Sequence, residues 1–169
     1  MIISRTAFKL HYGQARPALA IWKEIMGIDV GGEKRPMRLL TDLSGANYTL
    51  VTELHLRSFM DIGPGTHVWM TNDRIRELYP KFTPLCLDSV SDLFHVEQQI
   101  GDPCPVGHIV ERMEFHLKYG QAREALAVWK EILGIAKESK EAPPMRLMTD
   151  ITGPSYTLVM EMHYGSMMD

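Results

Sequence analysis

Two short stretches carry the residues best suited to chemistry. Thr49-Leu50-Val51-Thr52-Glu53-Leu54-His55 and Thr157-Leu158-Val159-Met160-Glu161-Met162-His163 each set a carboxylate and an imidazole two residues apart. On a β-strand, side chains at i and i+2 leave the same face roughly 7 Å apart. A second imidazole from a neighbouring strand would complete a 2-His-1-carboxylate metal set. The candidate sets are Glu53, His55 and His95, and Glu161, His163 and His116. Lys9 and His11 share the first face, and the later stretch has His116 and Lys118 at the same two positions, with the residue types exchanged. The same residues also read as a Lys-Glu-His network that satisfies buried polar groups without any catalytic duty. His67 and Trp69 are candidates for the rim of a pocket that orients a planar substrate; the plainer reading is a Trp anchoring a loop beside an exposed His. Trp22 and Trp129 fall in helical stripes and belong to the core.

The elements that must position these residues occur twice. FKLHYGQARPALAIWKEIMGI, from Phe8 to Ile28, returns as FHLKYGQAREALAVWKEILGI, from Phe115 to Ile135. Aligning residues 8–61 with 115–169 needs one single-residue insertion and leaves about 32 of 54 aligned positions identical, the mark of a repeated supersecondary unit. In each copy a period-two pattern (Phe8, Leu10 and Tyr12 against Lys9 and His11) predicts a half-buried strand. Ala15, Ala18, Leu19, Trp22, Ile25 and Met26 then recur at helical spacing, and Gly27 suits a left-handed C-terminal cap. PMRLLTD and YTLVTELHL form two further strands around the turn Leu43-Ser44-Gly45-Ala46-Asn47. The unit is β-α-β-β.

The first copy goes further. Ser58-Phe59-Met60-Asp61 reads as a capping box, residues 71–85 have helical character, and Asp92 to Gln98 supplies a last strand. That completes β-α-β-β-α-β, the split ferredoxin-like arrangement with antiparallel strands in the order 4-1-3-2. On the fourth strand, the apolar pair Phe94 and Val96 is expected beneath the helices, which turns His95 and Glu97 the other way. The expected organisation is a first ferredoxin-like repeat over 1–100, a linker over 101–107 and a second, incomplete repeat over 108–169. In the second copy, Tyr156, Leu158, Met160, Met162 and Tyr164 need a partner to bury them, which points to self-association or to ordinary packing under the one remaining helix.

Composition narrows the function classes. The chain of 169 residues is 45% apolar and 23% charged, with a net charge of −3 spread over mixed-sign segments. Neither nucleic acid nor a membrane surface is therefore an expected partner. The open face of the central strand lacks the aromatic platform that RNA-binding sheets use. Two cysteines, Cys86 and Cys104, give neither a disulfide framework nor a zinc ribbon, and a cytoplasmic location is expected. Gly31-Gly32 and Gly63-Pro64-Gly65 are turn chemistry rather than a phosphate loop.

With its "ARxALAxWKEI" first helix, "YTLVxExH" third strand and "LYPKFTPL" second helix, the chain resembles the dimeric α+β-barrel superfamily, in particular NIPSNAP-like and antibiotic-biosynthesis-monooxygenase-like proteins. The resemblance implies an α+β fold in which two ferredoxin-like sheets face each other as a barrel, here with both from one chain. It implies a small molecule bound between the sheets, with monooxygenase-like or metal-assisted chemistry. No residue set matches the catalytic signature of any one member. The alternative is a non-catalytic assembly module with a purely structural polar interior. For cofactors, none is the first expectation and a metal or haem the alternative. The expected partners are a small-molecule ligand and further copies of the chain.

Overall fold

A computed structural model describes residues 1–28, 36–62, 72–101, 107–139 and 142–166, the side chains of Met60 and Ile62 excepted. The chain divides into two compact units, Met1–Leu93 and Phe94–Asp169. That division falls inside one long strand; most of the expected linker, residues 101–107, lies outside the described residues.

Unit 1 contains β1 (Ile2–Leu10), α1 (Ala15–Gly27), β2 (Met37–Thr41), β3 (Thr49–Leu56), α2 (Asp73–Phe82) and the first half of β4 (Cys86–Ile100). The strand order is β2-β3-β1-β4, the expected 4-1-3-2 arrangement. The β1–β3 and β2–β3 pairings are antiparallel. Strand alternation sends Phe8, Leu10 and Leu50 to one face of the sheet. There they form a core with Ala18, Trp22 and Ile25 of α1 and Ile75, Leu78 and Phe82 of α2. The spacing of the buried α1 residues, i, i+4 and i+7, gives the helix one apolar stripe. Phe82 meets the Phe8 ring edge-on at 4.9 Å and Trp22 edge-on at 5.5 Å, so three aromatic rings join both helices to β1.

Local signals explain the helix ends. Asn72 caps α2, its Oδ1 accepting from the Ile75 amide at 3.2 Å, and Asp73 and Lys81 sit at the dipole ends that favour their charges. Pro80 removes one amide from the last turn, and the chain tightens into a 3-10 turn over Thr83–Leu85. Ser58 to Asp61 does hold half of a capping box, because Asp61 Oδ2 accepts from the Ser58 amide at 3.1 Å. It caps only a 3-10 turn over Phe59–Ile62. Gly27 is not the left-handed cap its position suggested: it is the last helical residue, and Ile28 leaves the helix in extended conformation. Its counterpart Gly134 lies inside a helix.

Unit 2 contains the second half of β4, β5 (Ile109–His116), α3 (Ala122–Glu138), β6 (Met145–Asp150) and β7 (Thr157–Tyr164). Its order is β4-β6-β7-β5, and the three pairings are antiparallel. Leu133 of α3 packs on Leu147, Leu158 and Met160, so Leu158 and Met160 of the β7 apolar set are buried by ordinary packing under α3, one of the two readings open in the sequence.

The copies agree in detail. Tyr48 and Tyr156 both take the left-handed backbone region at φ 61° and 64°. Each follows a turn closed by an aspartate, Asp42 Oδ1 accepting from the Thr49 amide at 2.9 Å and Asp150 Oδ1 from the Thr157 amide at 2.8 Å. Phe8 packs at a tilt against Trp22 at 5.7 Å, and Phe115 does the same against Trp129 at 5.3 Å.

Candidate functional site

Glu53 lies on β3, the strand flanked by β2 and β1, and both neighbours present an arginine directly opposite it: Arg38 from β2 and Arg5 from β1. Arg38 donates to Glu53 Oε2 through Nε at 3.0 Å and again through Nη2. Arg5 Nε stands 3.8 Å from Oε1. Glu53 is 0% exposed, a carboxylate fully withdrawn from water and held between two guanidinium groups.

Unit 2 repeats this arrangement. Glu161 on β7 is opposite Arg146 of β6 and Arg112 of β5. Arg112 Nη1 donates to Oε1 at 3.0 Å, Arg146 Nη2 donates to Oε2, and Glu161 is 1% exposed. His163, also buried, brings Nε2 to 3.7 Å from Glu161 Oε2. The Arg112 guanidinium also covers the Phe94 ring, 4.7 Å from its centroid, a cation–π contact that holds the arginine in place.

These four arginines are the residues that sequence reading missed. Withdrawing a carboxylate from water costs several kcal/mol, and the cost is offset only by close, well-directed opposite charge. Arginine suits that task because its planar fork stays charged and meets both oxygens. With Oε2 and Oε1 of each glutamate turned to different guanidinium groups, a metal ion would have to displace a cation to reach either oxygen.

The other candidates are dispersed. Lys9 is exposed and donates to the Asn47 carbonyl, His11 lies just past β1 and is exposed, and Lys118 is exposed. His55 is half-buried. His116 is exposed at the end of β5, its Nε2 3.9 Å from Glu114 Oε1. His67 and Trp69 lie outside the described residues. Among the described residues, no group of three or more His, Cys, Asp or Glu side chains is gathered closely enough to hold a metal ion.

The fourth strand is turned the opposite way from the expectation. Glu97 accepts from Lys130 of α3 at 2.9 Å and from Thr149 at 3.0 Å, so His95 and Glu97 lie on the helix side. Phe94 lies against Arg112, and Phe94 and Val96 share the face of Glu161. The reason is that the face carrying the glutamates is itself largely apolar: Ile3, Val51, Met148 and Val159 are buried there. Burial alone therefore could not choose between the two faces. Desolvation raises the Glu97 pKa, but hydrogen bonds from Lys130, Thr149 and His95 and the Lys130 charge outweigh it and hold the carboxyl below its ordinary range.

Unit 2 also has an open cavity of about 420 Å³ between Leu117, the start of α3 at Ala122, and the β6–β7 turn at Asp150 and Tyr156. No described helix is long and apolar enough to cross a membrane.

The chain matches no protein-family model and no curated protein. Among solved structures it is similar to a "putative monooxygenase" from Fusobacterium nucleatum, with TM-score 0.74 and 10% identity over 98% of this chain and 76% of that one. A "putative monooxygenase" from Lactobacillus acidophilus gives TM-score 0.69 and 12% identity over 98% and 77%. An uncharacterized NIPSNAP domain protein from Burkholderia xenovorans matches 55% of the chain and 91% of its own, at 14% identity and TM-score 0.48. At such identities the likeness is one of fold. Strand order, helix placement and the likeness to the structures from Fusobacterium nucleatum and Lactobacillus acidophilus give this chain a ferredoxin-like α+β fold.

Proposed function

We propose that the protein is a non-catalytic assembly module in which the repeated Glu-x-His strands are structural. The observation that supports this reading is the recurrence, at equivalent positions, of a buried glutamate clamped by two arginines. A general base or metal ligand needs a carboxylate oxygen open to the reacting group, and here both oxygens of each glutamate face guanidinium groups. The test is elemental analysis and an absorption spectrum of the purified protein, alongside thermal unfolding of Glu53→Gln and Glu161→Gln. The reading expects no stoichiometric metal, haem or flavin and a large loss of stability in both variants. Stoichiometric metal that disappears in the variants while the fold keeps its stability would overturn it.

A second reading has one observation behind it: the whole-chain likeness in fold to two proteins described as monooxygenases. It would make the chain a small-molecule-binding protein with oxidative chemistry. Oxygen consumption with planar phenolic or hydroquinone substrates, abolished by substitutions at His163 or His55 that leave the fold intact, would establish that reading over the first.

A further inference from the structure

Four of the six tyrosines stand in two pairs, one in each unit. The Tyr12 and Tyr48 rings lie 5.1 Å apart between centroids, tilted by 53°, and Tyr119 and Tyr156 repeat the contact at 5.3 Å and 57°. The backbone fixes both members of each pair. Tyr12 sits in a turn closed by the Gln14 amide donating to the His11 carbonyl at 3.1 Å, with Gly13 at φ 77°. Tyr119 sits in the matching turn, where the Gln121 amide donates to the Lys118 carbonyl at 3.0 Å and Gly120 has φ 80°. The carbonyls of Tyr48 and Tyr156 accept from the Leu10 and Leu117 amides, each at 2.8 Å, and both residues keep their left-handed backbone. A bulky residue held in that region points to a duty beyond local stability.

One ring of each pair faces water: Tyr12 is 86% exposed and Tyr119 87%, while Tyr48 and Tyr156 are half-buried. The two exposures agree although α2 packs only in unit 1, so the accessibility of the pair does not depend on that helix. Partial burial, then the neighbouring Tyr12 phenol with its hydrogen bond, and last the Asp42 charge push the Tyr48 hydroxyl above the usual phenol range. With the hydroxyls in contact, the ring carbons that flank them are neighbours too.

We propose that each pair is a site of oxidative modification, at which a one-electron oxidant, a peroxide-charged haem peroxidase, couples the two rings into a dityrosine staple. The inference goes beyond the function proposed above and holds whether or not either sheet performs chemistry. Each phenol gives up its O–H hydrogen as a proton and an electron. The two phenoxyl radicals join through one ring carbon ortho to each hydroxyl, and the protons displaced from those carbons return to the phenolic oxygens. Hydrogen peroxide takes up both electrons and both hydrogens and leaves as two waters. The rings of the product are twisted about the new bond, so the tilted contact already stands near it. The staple closes a covalent ring around α1 and β2 in unit 1 and around α3 and β6 in unit 2. Like a disulfide, it constrains the unfolded chain.

Titrating the purified protein with hydrogen peroxide and a haem peroxidase, followed by peptide mass spectrometry, tests the proposal. The expected products are Tyr12–Tyr48 and Tyr119–Tyr156 links within one chain, each lighter than its separate peptides by the mass of two hydrogens. They form before any link through Tyr79 or Tyr164, the tyrosines outside the pairs. Tyr12→Phe removes the first link and keeps the second, and Tyr119→Phe does the reverse. Both variants keep the wild-type circular dichroism, because the substituted rings are exposed. In urea unfolding the linked protein has a higher midpoint than the untreated one, and the double variant treated in the same way shows no rise. Links spread over all six tyrosines, links chiefly between chains, or the same pattern from protein oxidised in urea would overturn the proposal, as would an unchanged midpoint in the linked chain.

Discussion

Glutamate 53 shows what residue types alone conceal. Glu-x-His on a strand has the spacing of a metal half-site, yet its carboxylate is committed to arginines on the two adjoining strands. Recognising that in the sequence required the register. Arg5 lies three residues before the alternating stretch that marks the first strand, and it reaches Glu53 because β1 begins at Ile2. Arg38 was within a predicted strand, but nothing in its neighbourhood said which β3 residue it would oppose. Glu97 carries a separate prediction. Its carboxyl is held below the ordinary range in the folded chain, so the folded state binds its proton less readily than the unfolded state does. Its contribution is complete above the unfolded carboxyl range, near pH 4.5, and is lost as the pH falls through the lower folded value. Glu97→Gln therefore costs under about 1 kcal/mol at neutral pH, as a partly exposed pair should. Acid unfolding curves of variant and wild type then converge below that window; a difference that stays constant at all pH values would contradict the assignment.

Elements were more legible than residues because repetition wrote each pattern down twice. The β-α-β-β order, the helix from Ala15 to Gly27 and the 4-1-3-2 strand order all follow from alternation and helical spacing. The fourth strand did not follow, since it spans Cys86–Ile100 where alternation suggested only its later part, and both of its faces find cover. The two helices of identical design also differ in their surroundings. Trp22 is buried between β1 and α2, while Trp129, in the unit whose described residues form one helix, is only half-buried. Trp22→Ala should cost about 3–5 kcal/mol and Trp129→Ala distinctly less, measured by urea unfolding; equal losses would mean that something covers Trp129 as fully as α2 covers Trp22. Asn72→Ala, which removes the cap of α2, should cost about 1 kcal/mol, read in the same experiment.

At the scale of the whole chain, two units repeat one design down to the Arg-Glu-Arg clamp, the aspartate-closed turn and the left-handed tyrosine. They depart from each other where unit 1 adds α2. The clamp is the feature from which the functional reading descends, and a double-mutant cycle in equilibrium unfolding on Glu53→Met and Arg38→Met tests it most directly. Each single substitution leaves a buried charge poorly compensated and should cost about 3–5 kcal/mol, whereas the double substitution, which leaves only the partly exposed Arg5 charge, should recover part of that loss. Strictly additive effects, or single substitutions that leave stability unchanged, would contradict the account and return Glu53 to the list of residues available for chemistry.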